Sequence, residues 1–232
     1  MTNANNTSGV NLANIDGVIF LDKSGSMGYP VGVGSNPNRT RWETGKESIE
    51  AFAEELSAHD DDGITVVPFN DRFEIIDGVT PETVAAIYKK HSPGSSTMLS
   101  APLKAIIDKF LPAKVTGTKG GGMFSRGSAK NEYARISPKK AVFIGILTDG
   151  AAGDKDEVIK AIADATRRIN SRADFGILFI QVGNDPDATT FLDEVDNGLA
   201  GGVADFDVVA VCKLEDLEDM SCEQIINKAF TA

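Results

Sequence analysis

Asp22-Lys23-Ser24-Gly25-Ser26-Met27 sets oxygen-bearing side chains on alternate positions 22, 24 and 26, with Gly25 free to tighten the turn between them. Two further oxygen-rich segments lie downstream, Ser95-Ser96-Thr97 and Thr148-Asp149-Gly150. Carboxylates and hydroxyls are hard donors, the set that Mg²⁺ or Mn²⁺ prefers. The candidate metal ligands are therefore Asp22, Ser24, Ser26, Thr97 and Asp149. Each segment alone has an ordinary explanation, because Asp, Ser and Gly after a strand also make turns and helix caps. Their combination is what singles them out.

Other chemistries fit these residues less well. An EF-hand loop would need Gly at its sixth position and Glu at its twelfth, where this chain has Met27 and Val33. An aspartyl-phosphate enzyme would have a second Asp where Ser24 stands. No Gly-x-x-x-x-Gly-Lys-Ser/Thr and no Gly-x-Ser-x-Gly occurs, so a phosphate loop and a hydrolase elbow lack support. His59 and His91 stand singly among polar residues and read as surface or loop positions. No catalytic residue is assigned.

The segments can meet only if the fold brings them together. Val18 to Leu21 is a continuous apolar run, a strand buried on both faces, and it leads straight into Asp22. Val142 to Leu147 is the strongest strand of the chain and ends at Thr148-Asp149. Thr40 with Glu43 forms a capping box that opens a helix with Ile49, Phe52, Ala53 and Leu56 on one face. Ile64 to Phe69 and Arg72 to Ile76 flank Asn70-Asp71 and predict a short antiparallel hairpin. Further helices are expected after Thr80-Pro81, around Leu103 to Phe110, from Asp154, from Pro186 and after Ser221, with strands at Phe175 to Val182 and Val208 to Cys212. Strands alternating with helices imply a doubly wound α/β fold: a mostly parallel sheet covered by helices on both faces, with one antiparallel edge hairpin. In such sheets ligands bind beyond the carboxyl ends of the strands, where these motifs fall. The expected organisation is a flexible N-terminal segment, residues 1–14, and one domain over 15–232. That domain carries an aperiodic Gly/Ser/Lys-rich insert at 112–139, read as a long loop or a partly disordered segment.

The 232 residues hold 34 acidic and 23 basic side chains, 41% hydrophobic residues and 25% charged ones, as in ordinary globular proteins. Residues 1–148 carry 16 acidic and 16 basic side chains, whereas 149–232 carry 18 and 7, so the last third supplies the net charge of -11. Such an acidic surface argues against nucleic acid as a partner. The insert region runs the other way, with Lys114, Lys119, Arg126, Lys130, Arg135, Lys139 and Lys140 against Glu132 alone. No apolar run is long enough for a membrane span, and the start has neither the basic nor the apolar stretch of a secretory signal. Cys212 and Cys222 are too few for a disulfide framework, so a reducing cytoplasm is expected.

Asp-x-Ser-x-Ser after the first strand, a Thr before a helix, and Thr-Asp-Gly after a central strand together resemble the metal-ion-dependent adhesion site of a von Willebrand factor A domain. The resemblance spans roughly Asp16 to the C-terminus. Asp60-Asp61-Asp62-Gly63, Phe179-Ile180-Gln181-Val182-Gly183 and Phe191-Leu192-Asp193 look most like the bacterial subgroup associated with tellurite resistance and stress response. The family often has Gly-Gly before the Thr, where this chain has Ser95-Ser96. The resemblance implies a Rossmann-like fold and a site for Mg²⁺ or Mn²⁺, rather than Ca²⁺. Ser24 and Ser26 would ligate directly, Thr97 directly or through water, and Asp22 and Asp149 largely through water. Neutral hydroxyls next to the ion leave it electron-poor, so an Asp or Glu carboxylate from a protein partner completes its coordination. The implied function is a metal-dependent protein-binding module and not an enzyme; a homo-oligomer is possible but not indicated. The alternative is a Mg²⁺-dependent hydrolase or phosphoryl-transfer enzyme at the same strand ends. It lacks a general base or nucleophile assigned near the motifs, which metal-assisted catalysis needs.

Overall fold

A computed structural model describes residues 11–32, 37–59, 62–119, 130–199, 201–217 and 219–231. Five parallel strands and one antiparallel strand form the main sheet. They are β1 (Ile15–Asp22), β2 (Ile64–Phe69), β3 (Ile76–Val79), β6 (Ala141–Thr148), β7 (Phe175–Gln181) and β8 (Val209–Lys213), in the spatial order β3-β2-β1-β6-β7-β8. Only β3, at the edge, runs antiparallel to its neighbour. The expected α/β doubly wound architecture is the observed one.

The apolar runs explain why these strands are central. Along β1, Val18 and Phe20 face one layer while Ile19 and Leu21 face the other, and all four are fully buried. One layer packs Phe20, Val67, Ile144, Ile146 and Phe179 against α3 (Ser100–Phe110), α4 (Lys155–Thr166) and α5 (Pro186–Gly198). The other packs Leu21, Phe143, Leu147 and Ile180 against α1 (Arg41–Ser57), α2 (Pro81–Lys90) and α6 (Cys222–Thr231). Burial on both faces demands continuous apolar strands, and the sequence supplies them. On the α6 side the approach is close: a Cβ on Gly176 would stand 2.7 Å from the Ala229 carbonyl oxygen, so only glycine fits there without a shift.

Local signals fixed the helix starts. Thr40 and Glu43 make the reciprocal capping box, the Thr40 and Glu43 amides each donating to the other's side chain at 3.1 Å. Ser221 and Gln224 do the same at α6, with distances of 2.8 and 3.2 Å. Leu12 is buried in a short turn over Leu12–Asn14, so part of the segment expected to be flexible packs on the domain. The two free cysteines lie half-buried beside the α1/α6 layer, where burial pushes both thiols up to about 12.

Two features differ from the sequence expectation. The second hairpin strand is Ile76–Val79 rather than Arg72 to Ile76: the chain reverses at Asn70–Arg72, with Phe69 bridging Phe73, but regular pairing with β2 begins only at Ile76. Asn70 holds that turn: its backbone N–H donates to the Arg72 carbonyl at 2.9 Å, its side-chain Nδ2 donates to the Gly94 carbonyl at 2.7 Å, and its Oδ1 accepts from Lys23 Nζ at 2.7 Å and from the Arg72 amide at 3.0 Å. The segment 112–139, read as loop, contains a separate antiparallel ribbon of β4 (Val115–Lys119) and β5 (Lys130–Tyr133). Val115-Thr116-Gly117-Thr118-Lys119 shows no apolar alternation: Val115 is exposed, and no described residue of the ribbon is part of the buried core. The 120–129 connection, including Arg126, lies outside the described residues.

The ribbon's place is set by Ile136, whose amide donates to the Arg168 carbonyl at 2.7 Å and whose carbonyl accepts from Asn170 at 3.2 Å. The Arg168 guanidinium sits 4.8 Å from the Tyr133 ring centroid and bonds Asp108 and the Leu111 carbonyl. These residues follow α3 and α4 and precede β6 and β7. The ribbon therefore attaches at the amino ends of the strands, opposite Asp22 and Asp149.

Candidate metal centre

β1 pairs with β2 on one side and with β6 on the other, so the strand order reverses between β1 and β6. At such a switch point the loops leaving the two strands diverge and open a crevice at their carboxyl ends. Asp22 ends β1, and Thr148 ends β6 with Asp149 next.

The Asp22 carboxylate is fully buried and held from two sides. Its Oδ1 accepts from the Ser24 amide at 2.7 Å, and its Oδ2 accepts from Thr148 Oγ1 at 2.7 Å. Burial pushes its pKa up to about 6; the Thr148 and Ser24 hydrogen bonds oppose that rise, and the charge of Asp149 adds to it. Ser24 is 3% exposed, and its Oγ lies 3.1 Å from Ser26 Oγ. Ser26 Oγ in turn donates to Asp149 Oδ1 at 2.9 Å. The other oxygen of Asp149, Oδ2, accepts from Arg41 Nη1 at 2.6 Å, an ion pair in which the Asp149 side chain is fully buried and that of Arg41 14% exposed.

Thr97 reaches the site through its backbone. The Gly25 amide donates to the Ser95 carbonyl at 3.1 Å, Gly94 to the Lys23 carbonyl at 2.8 Å, and Gly153 to the Thr97 carbonyl at 2.9 Å. The Thr97 loop is thus laced to the segments that follow β1 and β6. Ser95 adopts the left-handed conformation, with φ at +67°, a place that favours glycine. The Asp154 carboxylate then accepts from the Leu99 and Ser100 amides at 3.0 and 2.8 Å and caps α3 from another element. Sequence reading assigned Asp154 to the start of α4. It does precede α4, but its side chain makes no cap there.

The five expected residues fall into two groups. Asp22, Ser24, Ser26 and Asp149 form one hydrogen-bonded cluster, joined through Thr148, while Thr97 is held beside it by main-chain bonds. The donor set suits a small hard cation. An octahedron of bonds 2.0–2.1 Å long places neighbouring ligands about 2.9 Å apart. The Ser24–Ser26 oxygen separation of 3.1 Å is close to that spacing. Among the described residues no group of three or more His, Cys, Asp or Glu gathers. The cluster is accordingly rich in hydroxyls and modest in charge. Arg41 also belongs to the site, although nothing in its local spacing marks it. Lys23, inside the motif, directs its Nζ to Asn70.

No protein-family model matches the chain, and none of the curated proteins matches it. Its likeness to solved structures is one of fold. The D319A mutant of the PilB minor pilin from Streptococcus sanguinis is 11% identical, with a TM-score of 0.54 over 94% of this chain and 59% of that one. The von Willebrand factor type A protein from Catenulispora acidiphila is 16% identical, with a TM-score of 0.51 over 87% and 38%. The manganese-loaded Plasmodium vivax TRAP protein is 15% identical, with a TM-score of 0.51 over 89% and 71%. The chain spans less than two thirds of the first two proteins. These likenesses give the chain a von Willebrand factor A-type fold.

Proposed function

We propose that the chain is a protein-interaction module whose binding site is a divalent cation held by Ser24, Ser26 and Thr97, with Asp22 and Asp149 supporting it. The observation that carries this reading is the continuous oxygen cluster from Asp22 through Ser24 and Ser26 to Asp149 at the sheet's switch point. Mg²⁺ or Mn²⁺ suits those donors, and the manganese in the TRAP neighbour is consistent with that choice. When bound, the ion supplies a Lewis-acidic seat for one oxygen of an incoming Asp or Glu carboxylate. The chain's own residues fix that seat: Thr148 and the Ser24 amide hold Asp22, and the 94–98 loop positions Thr97. Exposed Tyr29, which follows the turn after β1, and exposed Met98, within the 94–98 loop, offer apolar contact to a protein partner. The loop from Gly28 to Arg39 follows β1 and, in this reading, tunes partner choice; its residues 33–36 lie outside the described residues.

The resemblance to tellurite-resistance and stress-associated domains places the module, in this reading, in a cytoplasmic bacterial stress assembly. Asp60 and Asp61, part of that resemblance, lie outside the described residues. Among the described residues no helix is long and apolar enough to cross a membrane. The test is a calorimetric Mn²⁺ titration of wild type and Asp22→Ala, followed by partner capture with and without chelator. Binding by wild type that Asp22→Ala abolishes is the expected result. Equal affinity in the two proteins would refute the metal site.

A further inference from the structure

Arg41 is the first residue of α1, and its guanidinium is part of the buried cluster. The two oxygens of Asp149 are divided: Oδ1 faces the Ser26 hydroxyl, and Oδ2 faces Arg41. A cation seated on the serine side therefore leaves the arginine pair in place. The guanidinium is also closely enclosed. A Cβ on Gly183, whose φ is +85°, would stand 3.1 Å from Arg41 Nε and 3.4 Å from its Cζ, so glycine there lets the side chain lie flat. Arg41 Nε is buried and lacks a hydrogen-bond partner among the described residues. A buried donor left unsatisfied costs stability, while the same guanidinium compensates the buried Asp149 carboxylate.

We infer that Arg41 is a fixed positive charge that couples cation binding to the capture of a carboxylate, an inference that rests on the metal-site reading above. Asp22 and Asp149 bring two negative charges and Arg41 one positive. A divalent ion turns the cluster from net negative to net positive, and one carboxylate from a partner then neutralises it. Without Arg41 the ion by itself would balance the two aspartates, and an added anion would leave surplus negative charge in a buried place. An uncompensated buried charge is strongly unfavourable. Arg41 thus weakens the ion when it binds alone and strengthens the ternary state with an acidic ligand. By linkage the ion and the carboxylate must raise each other's affinity. The site becomes selective for acidic partners, with the cation held firmly only when such a partner arrives.

The test titrates Mn²⁺ into wild type, Arg41→Gln and Arg41→Lys, with sodium acetate as the carboxylate probe and sodium chloride as the control at equal ionic strength. Arg41→Gln is expected to bind Mn²⁺ about tenfold tighter, the lower end of the effect of a neighbouring charge. Acetate should strengthen Mn²⁺ binding in wild type and in Arg41→Lys, and much less in Arg41→Gln. Unchanged or weaker Mn²⁺ binding by Arg41→Gln, or an equal acetate effect in Arg41→Gln and wild type, would overturn the role of Arg41 while leaving the metal site standing. Wild-type binding no different from that of Asp22→Ala would instead remove the metal site, and this inference with it. Should circular dichroism find Arg41→Gln unfolded, the wild-type protein decides: Mn²⁺ affinity insensitive to acetate overturns the proposal.

Discussion

Ser95 carries a conformational load that its side chain does nothing to relieve. Its φ of +67° lies in the left-handed region, and its side chain is exposed. An L-residue pays about 1–2 kcal/mol there, and glycine avoids that cost but loses about 0.5–1 kcal/mol through the extra freedom of its unfolded chain. Ser95→Gly is therefore expected to stabilise the protein by about 0.5 kcal/mol, and Ser95→Val, β-branched at positive φ, to destabilise it by at least about 1 kcal/mol. Urea unfolding with an unchanged m-value would check both; a loss of stability in Ser95→Gly would contradict the strain. The turn geometry is present here even though the residue that best suits it is not.

At the scale of elements, α3 depends on a cap it does not own. Leu99 precedes the helix and has no side-chain acceptor, so the Leu99 and Ser100 amides are satisfied by the buried carboxylate of Asp154. That carboxylate also compensates the positive end of the helix dipole. Asp154→Ala should cost about 1–2 kcal/mol in thermal or denaturant unfolding. Because Gly153 also holds the Thr97 carbonyl, the same variant should weaken Mn²⁺ binding although Asp154 is no ligand. Asp154→Asn, which keeps an acceptor, should lie between the two. Full Mn²⁺ affinity in a folded Asp154→Ala would mean that the Thr97 loop is positioned without this brace.

For the whole molecule, the two ends of the sheet are chemically separate. The oxygen cluster sits at the carboxyl ends of β1 and β6, and the β4–β5 ribbon at the amino ends of β6 and β7. Arg135 there pairs with Asp205 and lies over the Phe206 ring, so part of the basic segment is anchored to the acidic last third of the same chain. Neutralising Lys114, Lys119, Arg126 and Lys130 together should leave Mn²⁺ affinity unchanged within about twofold, since the ribbon joins the sheet at the end opposite the cluster and charges more than about 10 Å apart are screened at 0.1 M salt. The same variant should lose any association with acidic surfaces that wild type makes at low ionic strength. A large change in Mn²⁺ affinity would mean that the ends communicate.

The sequence by itself determined the layers and the place of the motifs. Val18 to Leu21 and Val142 to Leu147 can be stable only where both faces are covered, and that forces their polar successors, Asp22 and Thr148-Asp149, to the open ends of adjacent strands. Capping boxes at Thr40 and Ser221 were legible because donor and acceptor lie three residues apart. Tertiary structure alone decided the rest. Arg41 meets Asp149 across 108 residues, and Asp154 caps a helix 55 residues away instead of the one it precedes. The ribbon pairs two mostly polar strands, and none of their described residues is part of the buried core. Periodicity and caps record contacts within a few residues. Which distant polar groups meet depends instead on how buried strands order themselves in the sheet and on which loops then share an end.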